Sequence, residues 1–126
     1  MAAAASIAVR HFAGHRRHVQ AMEPLRVAHL TDLHVGRVTP LEVHHAAVQL
    51  ANAEKPDLVV ITGDFVCHSQ AWLEDLSGVI RMFTAPVITV LGNHDHWCGG
   101  QDVERALRKG GAEVLRNAHT VLELRG

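Results

Sequence analysis

Cysteine is nearly absent from this chain, with only Cys67 and Cys98 among 126 residues. Two thiols cannot build the disulfide framework of a small secreted domain, and they lack the spacing of a metal finger. They read as free thiols of a reducing compartment, with a single bridge as the alternative. Charge of one sign is also lacking. The formal net charge is -1 with histidines neutral, so neither a nucleic-acid footprint nor an acidic solvating tail is indicated. No apolar run reaches the roughly 18 residues that a spanning helix needs. No G-x-G-x-x-G follows the first strand-like segment, and no P-loop lysine follows any strand, which argues against a nucleotide cradle. No G-x-S-x-G elbow exists, and nothing marks Cys67 as a nucleophile. What the chain does have is histidine, 11 in all, and 48% apolar residues, enough for one core. Histidine is the commonest metal ligand and the usual acid or base near neutral pH, so its positions decide the reading.

The opening stretch, "MAAAASIAVRHFAGHRRHVQAMEP", differs from the rest. A signal peptide puts its basic part before its apolar part. Here the order is reversed, and no hydrophobic segment follows the twin arginine Arg16-Arg17. Residues 1–24 are read as a poorly ordered or peripheral extension. Its cluster of Arg10, Arg16 and Arg17 with His11, His15 and His18 reads either as a solvated tail or as a contact for anionic lipid heads.

From residue 25 a regular alternation sets in. "LRVAHLT" reads as a first strand. "TPLEVHHAAVQLANAEK" follows as a helix, with Thr39 as cap, Pro40 at its first position and Glu42 closing a capping box. Val43, Ala47, Leu50 and Ala51 recur at helical spacing, and His44 and His45 are expected at the surface. Pro56 ends that helix. "DLVVIT" is a β-branched second strand of the kind buried on both faces. "SQAWLEDLSGVIRMFT" is a second helix, with Trp72, Leu76, Val79, Ile80 and Phe83 on one face. "PVITVL" is a third strand. "QDVERALRKGG" is a third helix, with Val103, Ala106 and Leu107 inward, Arg108 and Lys109 at its negative end and two glycines as its stop. "AEVL" and "TVLEL" read as short final strands around a turn at Arg116 and Asn117. Three strand–helix alternations predict one α/β domain with a mostly parallel βαβαβα sheet.

In such a sheet all carboxyl ends share one edge, where open α/β folds hold their ligands. Strand one ends in "TDLHVG", strand two in "TGDF" and strand three in "LGNHDHW". Asp32 and His34 are two apart, so an extended segment would point both side chains one way. An oxygen and a nitrogen ligand together suit Zn, Mn or Fe. Asp64 has two oxygens and could bridge two cations. Asn93 offers a neutral carbonyl oxygen. Asp95, beside His94, could fix the imidazole tautomer and raise its basicity. Each of these residues alone is an ordinary turn residue; their convergence on one edge is what favours chemistry. His96 and Trp97 extend the third loop, where they could touch substrate or pack the loop. His29 reads as a structural histidine, and His68 as a lining residue of the cleft.

The motifs D-x-H, G-D and G-N-H-D, each after a strand and in this order, resemble the calcineurin-like metallophosphoesterases. "HLTDLHVGR", "KPDLVVITGDFV" and "GGAEVLRNAHTVL" resemble its bacterial branch of membrane-associated phosphodiesterases related to UDP-2,3-diacylglucosamine pyrophosphatases. The resemblance runs from residue 25 to about 124. It implies a dinuclear site of two divalent ions, Mn, Zn or Fe. Asp32 and His34 would hold the first, Asp64 would bridge, and Asn93 would hold the second. His94, oriented by Asp95, would face the scissile phosphate and assist the leaving group. The implied reaction is hydrolysis of a phosphodiester or pyrophosphate by a metal-activated hydroxide, the ions about 3.5–4 Å apart.

The family fold is a two-sheet sandwich, and its second half supplies further metal-binding histidines, two of them in a G-H-x-H motif. After Asp95 this chain offers only His96 and His119, in no such motif. Residues 25–126 are therefore expected to form the amino-terminal half of such a sandwich, with metal occupancy in question. The alternative is a non-catalytic or truncated half domain needing a second, carboxyl-terminal polypeptide. The expected substrate is a phosphate ester, lipid-linked or nucleotide-linked, with no sequence-specific nucleic-acid binding. The expected location is cytoplasmic, with peripheral membrane association as a further option. Cys67 stands where the branch often has an aspartate, which would alter a contact behind the metals.

Overall fold

The computed structural model describes residues 7–37, 39–66, 70–97 and 99–124. The expectations placed on Cys67, His68 and Cys98 fall outside these residues. Four strands, β1 (Val27–Thr31), β2 (Leu58–Thr62), β3 (Val87–Val90) and β4 (Glu113–Val114), form one sheet in the order β1-β2-β3-β4. Every pairing is parallel, with Ala28 beside Val59, Ile61 beside Thr89 and Thr89 beside Val114. The helices are α1 (Arg16–Ala21), α2 (Leu41–Ala53), α3 (Leu73–Arg81), α4 (Asn93–Trp97) and α5 (Gly100–Lys109), with a 3-10 turn at Gln70–Trp72 leading into α3. This is the α/β architecture read from the sequence.

Parallel strands laid down in sequential order with right-handed crossovers put α2, α3 and α5 on the same face of the sheet. The core lies under them. Val59, Ile61, Leu76, Ile80, Val103 and Leu107 are each at most 1% exposed, and each large side chain so buried contributes roughly 1.5–3 kcal/mol. The alternate residues of the strands face the other way. There Val27 and Val90 are exposed, as is His29, whose Nε2 bonds the Thr62 hydroxyl at 2.9 Å.

Helix α3 carries the expected face, with Leu76, Val79 and Ile80 buried and Trp72 and Phe83 packed against the core. Helix α5 buries Val103, Ala106 and Leu107, and ends at Gly110 with Gly111 at φ 102°. Helix α2 departs from expectation in two ways. Its cap is Pro40, with no side-chain cap bond, and Thr39 lies in a backbone bridge to Val35. Its buried residues are His44, Ala46 and Val48, whereas Val43, Ala47, Leu50 and Ala51 are half-buried. His44, expected at the surface, is 3% exposed and shares one helix face with Val48, four residues on.

The expected strand over 120–124 does not form. No strand pairs with this segment among the described residues, and Val121 is 89% exposed. Backbone pairing needs a neighbour, and β4 is only two residues long. In the amino-terminal segment, residues 16–21 form a helix that was not expected. None of its residues is buried.

Candidate metal centre

The three motif-bearing loops leave the carboxyl ends of β1, β2 and β3, so the sheet delivers them to one edge. The first two loops are stitched together beyond the strands. Asp32 N–H donates to Thr62 O at 3.0 Å, His34 N–H to Asp64 O at 3.0 Å and Val35 N–H to Phe65 O at 2.8 Å. The ladder continues through a bridge of Val35 to Val66. Asp32 and His34 are not extended, as their spacing suggested, but sit at φ 53° and 46°. Aspartate and histidine are among the few side chains that enter this left-handed region with any frequency. The loop still brings the pair close, with Asp32 Oδ1 3.9 Å from His34 Nε2.

Asp64 is the hub. It is 6% exposed and follows Gly63 at φ 82°. Its Oδ1 accepts from His94 N–H at 2.9 Å, and its Oδ2 is bonded to His94 Nδ1 at 2.5 Å. His34 Nε2 stands 3.8 Å from Oδ2. The third loop reaches this position because Gly92 has no side chain. A Cβ there would collide with Asp64 Oδ1 and lie 2.6 Å from the Asp64 amide nitrogen. Burial pushes the Asp64 carboxyl up, but the side-chain and backbone bonds from His94 and the nearby imidazoles together hold it below the usual carboxylate range. An ionised carboxylate only accepts, so the bond between the two puts an N–H on His94 Nδ1.

The result is a cluster of His34, Asp64 and His94 with one ligand atom each, all within 4.8 Å of one another. The rings of His34 and His94 meet edge to face at 5.3 Å, and Trp97, 69% exposed, lies edge to face on His94 at 5.0 Å. One buried carboxylate with two imidazoles, and only imidazoles as its ionic partners among the described residues, is a donor set that fits a borderline divalent cation. Asp32 stands at the rim, its side chain 53% exposed and its Oδ2 accepting from the Thr31 hydroxyl. Asn93 is exposed at the first position of α4, directly before His94. His96 is exposed on the same short helix.

Asp95 behaves differently from its expected role. It is fully buried, and its oxygens accept from three backbone amides: Phe65 at 2.7 Å and Val66 at 3.0 Å on Oδ1, and Gly92 at 2.8 Å on Oδ2. The carboxylate bonded to His94 Nδ1 is that of Asp64. Burial raises the Asp95 carboxyl above its ordinary range, the three amides oppose this, and the Asp64 charge adds to the rise. Neither the partnership of Asp64 with His94 nor the Thr31 contact to Asp32 left a signal in the spacing of residues. Adjacency along the chain pointed to Asp95, while the fold supplied a residue 30 positions away.

The family model for the calcineurin-like phosphoesterases matches residues 25–123. Phosphodiesterase YaeI of Escherichia coli is 32% identical over 107 residues, covering 79% of this chain and 39% of the relative. The uncharacterized metallophosphoesterase YkuE of Bacillus subtilis is 30% identical over 104 residues, covering 79% and 36%. UDP-2,3-diacylglucosamine pyrophosphatase LpxG of Chlamydia trachomatis is 33% identical over 75 residues, covering 57% and 23%. The chain thus spans less than two-fifths of the length of these relatives. No solved structure gives a significant match.

Proposed function

This chain belongs to the calcineurin-like phosphoesterase family, and from that premise we propose that it contributes the amino-terminal part of a metal-dependent phosphodiester or pyrophosphate hydrolase. The observation that carries the reading is the convergence of His34, Asp64 and His94 at the carboxyl edge of a parallel sheet. In this reading Asp32, His34, Asp64 and Asn93 would hold the divalent ions, with Mn, Zn and Fe all suited to the donors. Such ions polarise a phosphoryl oxygen and lower the pKa of water.

The chain's own residues do the rest. Asp64 fixes the His94 ring through Nδ1, and in this reading Nε2, across the ring from that bond, would exchange a proton with a leaving oxygen or hold a phosphate oxygen. Asp95 was expected to hold that ring; its oxygens are engaged by backbone amides, so the ring-holding role passes to Asp64 in this proposal. His96 and Trp97, both exposed beside His94, would meet the substrate in this reading. The substrate class is a phosphate ester, lipid-linked or nucleotide-linked. A cytoplasmic location with peripheral membrane contact through the basic residues 10–18 belongs to the same proposal. A complementing carboxyl-terminal polypeptide is the second reading. The open sheet face bearing Val27 and Val90 favours it.

The test is hydrolysis of bis(p-nitrophenyl) phosphate by the purified chain with Mn²⁺ or Zn²⁺. We expect metal-dependent turnover that Asp64→Ala lowers by about two orders of magnitude or more. Turnover indifferent to Asp64→Ala would defeat the residue assignment. Turnover that appears only when a G-H-x-H-bearing segment is added would establish the second reading.

A further inference from the structure

Two loops must keep their spacing for the centre to exist, since Asp64 rides on the loop after β2 and His94 on α4 after β3. One buried group joins them. Asp95 has 0% exposure, and its carboxylate takes N–H donors from Phe65 and Val66 on one loop and from Gly92 on the other. Phe65 is the neighbour of Asp64, while Gly92 and Asp95 bracket Asn93 and His94. Among the described residues the carboxylate has no cationic partner, only amide dipoles. A buried carboxylate with no cation beside it is costly even when amides bond it, and a group held at that cost must do something an apolar residue cannot.

We infer that Asp95 is the positioning residue of this centre: its buried carboxylate clamps the loop after β2 to the loop after β3 through three backbone amides, and so sets the separation of Asp64 from both Asn93 and His94. The inference rests on the metal-centre reading above but concerns the backbone, so the two can fail separately. Asp95 acts on Asp64 and His94 through the chain that carries them, not through the imidazole ring. The carboxylate is suited to this because it offers two acceptor oxygens and no donor. An asparagine of the same size would still serve Phe65 and Val66 with its carbonyl oxygen, but would turn an N–H toward the Gly92 N–H. Asp95→Asn therefore removes the crosslink to the third loop while leaving the packing intact.

The experiment uses the full chain and Mn²⁺ alone as the probe, with amide hydrogen exchange measured in EDTA. For Asp95→Asn we expect Mn²⁺ affinity to fall about tenfold or more, the size of effect seen when groups behind metal ligands are lost, and Gly92 exchange to quicken. Val48→Ala, in the buried face of α2, supplies a destabilised control in which affinity stays within about twofold. In a His94→Ala background, Asp95→Asn should still weaken Mn²⁺ by a similar factor. A lower melting point with unchanged Mn²⁺ affinity would reduce Asp95 to a merely structural role and overturn the inference. So would an effect that vanishes in the His94→Ala background, because that places Asp95 behind the ring. If the wild-type chain binds no Mn²⁺, the metal reading fails and exchange decides the clamp: faster Gly92 exchange supports it and unchanged exchange overturns it. If Asp95→Asn does not fold, the wild-type amides of Phe65, Val66 and Gly92 must open together, and separate opening overturns the clamp.

Discussion

Two regions of this chain are rich in histidine, and they use it in opposite ways. In the amino-terminal segment, His15 caps α1 by accepting from Arg17 N–H, His18 lies 5.6 Å from the His15 ring, and His11 reaches across to Glu54 at 3.0 Å. All three are exposed. At the carboxyl edge of the sheet, His34 and His94 converge on a buried carboxylate. The residue type is the same; the anchoring of the backbone differs. His34 is held by the backbone ladder between the first two loops, and His94 by its own amide on Asp64 and by the fit of Gly92 against Asp64. The segment before residue 25 has no such ladder among the described residues. Histidines converge on a shared carboxylate where the chain that carries them cannot move away.

The comparison breaks most sharply at Gly92. In Gly92→Ala the new methyl meets Asp64 Oδ1 and the backbone of Gly63 and Asp64. Backbone cannot yield as a side-chain tip can, so the third loop must retreat and take His94 with it. We expect a stability loss of about 1–3 kcal/mol, as in other overpacked sites, together with loss of measurable Mn²⁺ binding in a titration. Retained binding would show that His94 needs no close approach of the loops. Gly63→Ala is the milder counterpart. Its Cβ would lie 3.0 Å from Asp32 Oδ1, a half-exposed side chain that can turn aside. The cost is then mainly that of the left-handed backbone at φ 82°, about 1–2 kcal/mol in urea unfolding. Mn²⁺ affinity should fall less than in Gly92→Ala, and the reverse order would place the critical contact at Asp32.

The same contrast explains how much could be read from the sequence. Strands β1 to β3 and helices α3 and α5 were legible because β-branched runs and strongly one-sided apolar spacing leave few alternatives. The face of α2 was not, since a helix of small residues with two adjacent histidines has no dominant apolar stripe, and His44 rather than Ala47 turned inward. The strand expected over 120–124 had the right residues but finds no pairing partner among the described residues. At the centre, the motif residues and their edge were legible from topology alone. Their connections were not. Asp32 and His34 took left-handed conformations, and Asp95 turned both oxygens to backbone amides, which carry no sequence signal.

His44 extends the comparison to a third circumstance, a histidine that is anchored with a buried ring nitrogen left unbonded. It is 3% exposed, and its Nε2 has no hydrogen-bond partner among the described residues. Burial first, and then the charge of His45, lower its pKa below 6.5. A base depressed in the folded state gives stability that is present above its unfolded pKa and is lost as pH falls from about 6.5 through the folded value, because the unfolded chain then binds the extra proton. Each unit of depression is worth about 1.4 kcal/mol. The unfolding midpoint should therefore drop between pH 7 and pH 5, and His44→Leu should flatten that drop while removing an unpaired buried nitrogen. An equally steep profile in His44→Leu would move the pH dependence to other groups.

The smallest effect belongs to the amino-terminal histidines, and its smallness is the point. His11 meets Glu54 at 3.0 Å, but the two side chains are 73% and 38% exposed. The bond to His11 is the leading reason that the Glu54 carboxyl lies below its ordinary range, yet water and salt screen such a pair and its holding cost offsets most of the attraction. His11→Ala should leave the thermal midpoint unchanged within error at 0.15 M salt, and should leave Mn²⁺ affinity unchanged as well. A clear loss of stability would mean that residues 7–24 pack on α2 more firmly than their exposure implies. A loss of Mn²⁺ affinity would be more damaging, since it would couple the two histidine regions that their anchoring separates.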